Sequence, residues 1–486
     1  MNTPAPLSVD QAEHRVLGWQ RKLHRWAGED AGRRFDDIHN LVCDPATLLV
    51  AWERVKRNRG SKTAGVDGQT RASIERRGVE RTLSELGQAL KDRTYAPQPV
   101  REHMIAKRGG KTRSLGIPAL RDRIVQMAAK LVLEPIFEAD FCPTSYGFRP
   151  RRRARDAVAE VALFVNPPRS YEWVIEGDVE DCFGSIHHGL LMAKVRRRVT
   201  DKRVLGLIRQ FLAAGIMREQ GPVATPSGTP QGAILSPLLA NVALSVLDRH
   251  FEAAWTSARN RYQRAQARAK GQASYRLVRY ADDFVVLVRG SEAQAQALKE
   301  RTAEFLRDEL RLTLSPEKTH ITHVDAGFDF LGFRILRKAR PGRKPAAYIF
   351  PNQRAFGDVK HRIKELTRPD TTYLSLDELI HALNPVLRGW TNYFREAASA
   401  RAFSYLSHYL WWRVMLWLRK KYPRLTWKQI KRKYWGRRWS GPNGARLVWP
   451  ADVPVTKYTY RGHHITSPWA TPATNEATSQ PEAAGV

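Results

Sequence analysis

Two acidic strings stand out in a strongly basic chain. In Tyr171-Glu172-Trp173-Val174-Ile175-Glu176-Gly177-Asp178, a β-prone run ends in a glycine and puts Asp178 at a strand terminus. In the second string, Leu277-Val278-Arg279-Tyr280 and Phe284-Val285-Val286-Leu287-Val288 flank Ala281-Asp282-Asp283, which reads as a tight hairpin with adjacent carboxylates at its tip. An acidic pair between strands is often only a solvated turn. A third carboxylate at another strand end changes that, because neighbouring strands would gather all three. Hard carboxylate oxygens suit Mg²⁺, which also binds substrate phosphates. Two such ions about 4 Å apart clamp the attacking and leaving oxygens of a phosphoryl transfer. The chain carries 81 Lys+Arg against 48 Asp+Glu, a formal charge of +33. A surplus of that size points to a polyanionic partner, nucleic acid first. Carboxylates and charge together point to phosphoryl transfer on nucleic acid.

Tyr280-Ala281-Asp282-Asp283 resembles the catalytic hairpin of reverse transcriptases, and its surroundings resemble the bacterial group II intron-encoded members, over roughly residues 35 to 440. The resemblance makes Asp178, Asp282, Asp283 and Lys318 the catalytic set, with Asp178, Val179, Asp282 and Asp283 holding two Mg²⁺ ions, Mn²⁺ serving as a substitute. Phe183, five residues after Asp178, matches the bulky gate against a nucleotide 2′-hydroxyl. Lys318, in Leu312-Thr313-Leu314-Ser315-Pro316-Glu317-Lys318, matches the lysine that donates a proton to pyrophosphate. The most specific string is Gly228-Thr229-Pro230-Gln231-Gly232-Ala233-Ile234-Leu235-Ser236-Pro237. Physically it is a glycine turn feeding a helix, with Ser236 expected as N-cap and Pro237 at the first helical position. In the family it lies beside the incoming nucleotide, which assigns Gln231 and Gly232 to substrate binding. Lys107 and Arg113, on a basic hairpin, match the residues that grip the triphosphate, and Phe330-Leu331-Gly332 matches the primer grip. The chain departs from the family at Gly184 and His187, where acidic residues are usual, and at Ala106 and Ser114, where proline is usual.

RNA contacts are expected from three places. Arg149, Arg151 and Arg152 sit in a basic loop on the side that the resemblance gives to the template. Arg388 and Trp390 lie in Leu387-Arg388-Gly389-Trp390-Thr391-Asn392-Tyr393-Phe394, which resembles the family's maturase or thumb region. Lys431, Arg432 and Lys433 fall within residues 401–440, which hold 12 Lys/Arg, six Trp and no Asp/Glu. Cations supply phosphate contacts and aromatics supply stacking surfaces. Such a surface makes binding steeply salt-dependent.

The elements that must position these groups read as α+β. The resemblance implies a right-hand polymerase, fingers and palm with an antiparallel palm sheet, followed by an all-α thumb/maturase domain. The expected divisions are an N-terminal helical extension over 1–34, fingers and palm over 35–340, thumb/maturase over 355–425, a basic aromatic nucleic-acid-binding extension over 426–473, and a disordered tail over 474–486. Arg340-Pro341-Gly342-Arg343-Lys344-Pro345 reads as the linker at the main boundary. The three cysteines, Cys43, Cys142 and Cys182, allow no disulfide framework and no paired-cysteine zinc site. No signal peptide or membrane span is evident, so a cytoplasmic protein with no membrane contact is expected. No Cys-rich or His-Asn-His endonuclease follows Trp439, so second-strand cleavage is not expected. The implied partners are group II intron RNA, an RNA template, a DNA primer or target, and dNTPs. Monomer and homodimer both stay open. Two other roles share the same residues: a splicing-only RNA-folding cofactor, and a defence-associated reverse transcriptase of the retron or CRISPR type.

Overall fold

The computed structural model describes residues 7–106, 112–218, 221–223, 227–258, 260–436, 438–462 and 465–470. Its centre is a four-stranded antiparallel sheet in the order Ser274–Tyr280, Asp283–Arg289, Trp173–Asp178, His320–His323. Both faces are covered, which explains why these strands read as nearly continuous apolar runs. Val174, Val278, Val285 and Leu287 pack towards the helix Ala154–Val165. Ile175, Leu277, Val286 and Val288 pack towards the helices Ser236–Ser257 and Glu292–Leu310.

The N-terminal third wraps a second core around the helix Leu120–Glu138. Helix Val9–Glu29, started by a Ser8/Gln11 capping box, buries Ala12, Val16, Leu23 and Ala27 in that core beside helix Pro45–Arg57. This N-terminal segment is therefore helical as expected, yet it is built into the fingers core rather than extending from it. Strands Val100–Ala106 and Thr112–Ile117 form an antiparallel hairpin, to which Ile216–Arg218 adds in parallel.

Beyond the sheet the structure corrects the sequence-based boundaries. The Arg340–Pro345 segment is no linker: strands Phe333–Arg340 and Arg343–Pro351 pair across it as a hairpin. Helices Gln353–Leu366, Leu376–Phe394, Ala400–Lys421 and Trp427–Tyr434 then form a bundle. Ile430, Tyr434, Trp439 and Leu447 are buried in the same cluster as Leu379, Leu383 and Leu410. Residues 426–449 thus complete the bundle instead of forming a separate extension, because their apolar residues have no other core to enter. The chain next runs back as a strap. The Thr456 amide bonds the Arg395 carbonyl, Tyr458 and Arg461 bond the buried Asp156, and Trp469 donates to Gln20 of the first helix. The tail expected to be disordered, 474–486, lies outside the described residues.

Trp439 has no exposed surface. Trp439→Ala should cost about 3–5 kcal/mol, the usual loss for truncating a buried aromatic. Denaturant unfolding tracked by a probe in the bundle tests this; a loss near zero would mean that 426–449 is not part of that core.

Candidate active site

Strand register gathers the carboxylates. Asp178, last in its strand, pairs directly with Asp283, first in the adjacent strand. Tyr280 pairs with the same Asp283, leaving Ala281 and Asp282 as a two-residue turn. Asp178 and the Asp282-Asp283 turn therefore share one end of the sheet. Gly177 is required beside them, since a side chain there would run into the Phe284 ring. Lys318 reaches the same point from the loop after Leu314, its Nζ 2.6 Å from Asp178 Oδ2. That loop is held by the Ser315 amide on the Asp178 carbonyl and by pairing of Val179 with Leu314. Crowding shows in the protonation of the site. Burial first, and then Asp282 and Asp178, push the Asp283 carboxyl up to about 6. Hydrogen bonding to Asp178 raises the Lys318 ammonium.

The donor set fits hard divalent cations. Asp178 and Asp282 offer carboxylate oxygens at one strand end, and Asp283 adds the charge that a cation would relieve. Among the described residues no three His, Cys, Asp or Glu side chains already converge as a cage.

The turn itself is strained, because Ala281 sits at φ +58° with a side chain that disfavours that region. A fully buried guanidinium holds it. Arg279 Nη1 donates to the Ala281 carbonyl at 2.7 Å and to Asn241 Oδ1 at 3.0 Å. Its Nη2 donates to Asp248 Oδ2 at 2.5 Å and to Ser145 Oγ at 2.7 Å, and its Nε to Asp248 Oδ1 at 2.6 Å. Asn241 in turn donates to the Gly147 carbonyl, and Gly147 lies so close to Ala281 that any Cβ there would clash with the turn. Sequence reading missed Arg279, Asn241, Asp248 and Ser145. The available signal was a charged residue interrupting an apolar strand, Arg279, and another inside an apolar helix, Asp248.

The remaining expected residues divide into several groups. Phe183 is buried in the short helical turn Cys182–Ser185 and meets the exposed Phe148 edge-on at 6.4 Å. Its carbonyl accepts from the Thr229 amide at 2.7 Å, tying it to the glycine turn. Gln231 accepts from the Gly116 amide through its carbonyl, and its Nε2 donates to Asp181 at 3.3 Å. Gly232, at φ +110°, packs against the Gly116 carbonyl, where a Cβ has no room. Ser236 does not cap the helix it opens. Leu235 occupies that position, and the Ser236 hydroxyl donates back to the Pro230 carbonyl at 2.9 Å. The departures at Gly184 and His187 have local causes. A side chain at Gly184 would strike the Asp181 carboxylate, and His187 caps helix His188–Arg196 by accepting from the Leu190 amide. Lys107 lies outside the described residues, and of Arg113 only the strand backbone is described.

Leu331 and Gly332, both at positive φ, form the two-residue turn of a hairpin in which Phe330 pairs with Phe333. Phe330 itself is core. Three expected RNA contacts need correction. Arg149 is buried, bidentate on Glu138 and bonded to the Cys142 and Ser145 carbonyls, so its guanidinium is engaged inside the fold and does not face a template. Arg152 is largely buried over the Tyr146 ring and donates to the Pro143 carbonyl. Trp390 packs among Phe356, Phe394 and Phe403 and donates to the Ala355 carbonyl. Arg151, Arg388, Lys431, Arg432 and Lys433 are exposed.

A sheet that ends in an aspartate opposite an Ala-Asp-Asp turn, covered by helices on both faces and followed by a helical bundle, defines a right-hand nucleic-acid polymerase. Comparison with known proteins sharpens the class. Residues 105–335 match the family "Reverse transcriptase (RNA-dependent DNA polymerase)", and residues 357–435 match "Group II intron, maturase-specific domain". Protein YkfC of Escherichia coli K12 is 38% identical over 69% of this chain and 92% of its own length. Group II intron-encoded protein LtrA of Lactococcus lactis is 29% identical over 80% of this chain and 75% of its own length. The chain belongs to the family of group II intron-encoded reverse transcriptases with a maturase domain. It is an RNA-directed DNA polymerase and RNA-binding protein of a family that works with divalent metal ions.

Two outcomes are expected from this geometry. Asp248→Ala leaves the Arg279 guanidinium buried without its carboxylate, and should cost about 3–5 kcal/mol in a denaturant titration. Asp283 carries a raised pKa, so the folded protein binds more protons than the unfolded chain between about pH 4 and 6, and stability falls as pH rises through that window. Asp283→Asn should therefore raise the metal-free Tm at pH 7.5 and leave it little changed at pH 4; an equal effect at both pH values would remove this reading.

Proposed function

We propose that this chain copies RNA into DNA at the Asp178/Asp282/Asp283 centre and grips the RNA of a group II intron, promoting its splicing and mobility. The observation that carries the reading is the register setting Asp178 opposite Asp283. In this reading Asp178 and Asp282, with Asp283 and Val179, hold two Mg²⁺ ions, and Mn²⁺ substitutes. When bound, the ions lower the charge on the reacting phosphate and activate the primer hydroxyl. Cations on the fingers hairpin, Lys107 and Arg113, neutralise the dNTP triphosphate. Phe183 narrows the sugar pocket against a 2′-hydroxyl, with Gln231 and Gly232 against the incoming nucleotide. Lys318 gives its proton to the departing pyrophosphate; its ammonium already lies on Asp178. The Phe330-Leu331-Gly332 turn steadies the primer end, and Tyr393 braces it by donating to the Leu331 carbonyl.

The template is RNA, the primer and target are DNA, and the second RNA partner is the intron. Exposed Arg151, Arg388 and Lys431–Lys433 contribute phosphate contacts to it. We place this activity in the cytoplasm, where the intron transcript is made; among the described residues no helix is long and apolar enough to cross a membrane.

Purified protein should extend a DNA primer on an RNA template with Mg²⁺. Asp282→Asn with Asp283→Asn should abolish extension while leaving intact the lowering of the Mg²⁺ requirement for splicing of the intron transcript. Incorporation persisting in the double variant would overturn the site, and an unaltered Mg²⁺ requirement would overturn the maturase half.

A further inference from the structure

Helix Arg261–Ala269 stands between helix Ser236–Ser257 and the strand Ser274–Tyr280, and it buries none of its residues. Core packing therefore does not account for it. Its sequence, Arg-Tyr-Gln-Arg-Ala-Gln-Ala-Arg-Ala followed by Lys270, contains no acid. Arg261, Arg264 and Arg268 fall at i, i+3 and i+7, which places them on one stripe. Like charges at that spacing disfavour an isolated helix.

The stripe faces a cavity of about 350 Å³ whose wall also includes Arg169, Arg276 and Arg289. Of these six arginines only Arg276 is ion-paired among the described residues, to Glu160 and Glu252. Three of the others are oriented by neutral oxygens. Arg264 donates to the Ala258 carbonyl at 2.6 Å, Arg268 to Ser274 Oγ at 2.9 Å, and Arg289 to the Arg169 carbonyl at 2.8 Å. Their mutual proximity shows in Arg268, whose pKa is lowered by burial first and then by Arg289, Arg264 and Arg261. Aromatic rings floor the cavity. Arg264 lies 4.1 Å over Trp255, which meets Phe164, and Phe164 meets Tyr171.

We propose that this arginine-rich, aromatic-floored cavity is an RNA-binding site, taking the phosphates of a folded RNA segment on Arg261, Arg268, Arg289 and Arg169. Donor forks match phosphate oxygens bidentately, and the concave shape suits a backbone turn in folded RNA better than a regular duplex. The site is remote from polymerisation. Ser274 and Arg289 pair at the far end of the hairpin whose near end is the Asp282 turn. Seven residues of strand, at about 3.3 Å each, separate them by roughly 23 Å. An RNA held there leaves the catalytic cleft open, so this grip serves the intron rather than the template. The assignment rests on the maturase reading of the chain.

The test uses the full chain with three substitutions on the rim, Arg261→Gln, Arg268→Gln and Arg289→Gln, beside the matching triple lysine variant. Binding of a group II intron transcript is titrated against salt, and extension of oligo(dT) on poly(rA) is measured in parallel. The glutamine variant should bind the transcript about tenfold or more weaker at about 0.2 M salt, with a salt slope shallower by about 2, and should extend the homopolymer primer at the wild-type rate. The lysine variant should keep most of the slope. An unchanged affinity and slope in the glutamine variant overturns the inference while wild-type binding upholds the maturase reading; wild-type protein that fails to bind the transcript overturns both. Equal loss of homopolymer extension, or a loss seen with duplex DNA and not with the transcript, also overturns it.

Discussion

One buried guanidinium organises the catalytic end of this molecule. Arg279 has no contact with water, and its donors are spread over Asp248 and Asn241 on one helix, Ser145 on a loop, and the carbonyl of the strained Ala281. A buried charge is costly unless paired and fully bonded, so once Asp248 lies across from Arg279 the other partners are drawn to set positions. The loop containing Ser145 and Gly147 is thereby pressed against the turn from behind, and the helix carrying Asn241 begins just after the Gln231-Gly232 segment. Three separate strings of sequence meet at one ion pair. The carboxylates of the turn inherit their spacing from it.

The charge surplus separates into two populations. Arg149, Arg198, Arg276 and Arg279 are spent internally: each lies buried among carboxylates or carbonyls and contributes to the fold. Arg461 joins them at the surface by clasping buried Asp156, which ties the C-terminal strap to the central layer. Other arginines and lysines, lining the cavity beside helix 261–269 and standing exposed along 431–433, keep solvent access. Only this second group can neutralise a phosphate backbone. Net charge therefore overstates the nucleic-acid surface, and position in the fold decides which cations count.

Much of the site was legible before any coordinates. A strand-ending aspartate, a two-residue acidic turn and a glycine-rich helix entry are local patterns, and local patterns survive into the structure with their spacing intact. Lys318 was singled out only by the resemblance, since a lysine after a proline turn is ordinary. Arg149, Arg152 and Trp390 misled because a run of arginines or a tryptophan beside a glycine looks the same whether it faces water or a core. The segment 340–345 misled because a Pro-Gly pair marks a hairpin turn as readily as a linker.

Sequence alone determined the class of chemistry and the identity of the family, since both depend on residue types at short, fixed separations. Tertiary structure decided which strand lies beside which, and so that Asp178 opposes Asp283. It decided that the residues after 425 close the bundle, and that Arg279 holds the turn from within. Those facts depend on contacts between segments far apart in the chain, such as Asp248 with Arg279, Asn384 with Arg446 and Ser145 with Arg279. Burial and pairing across such separations leave no periodicity in the chain, because the partner that satisfies each buried charge becomes adjacent only when the cores have formed.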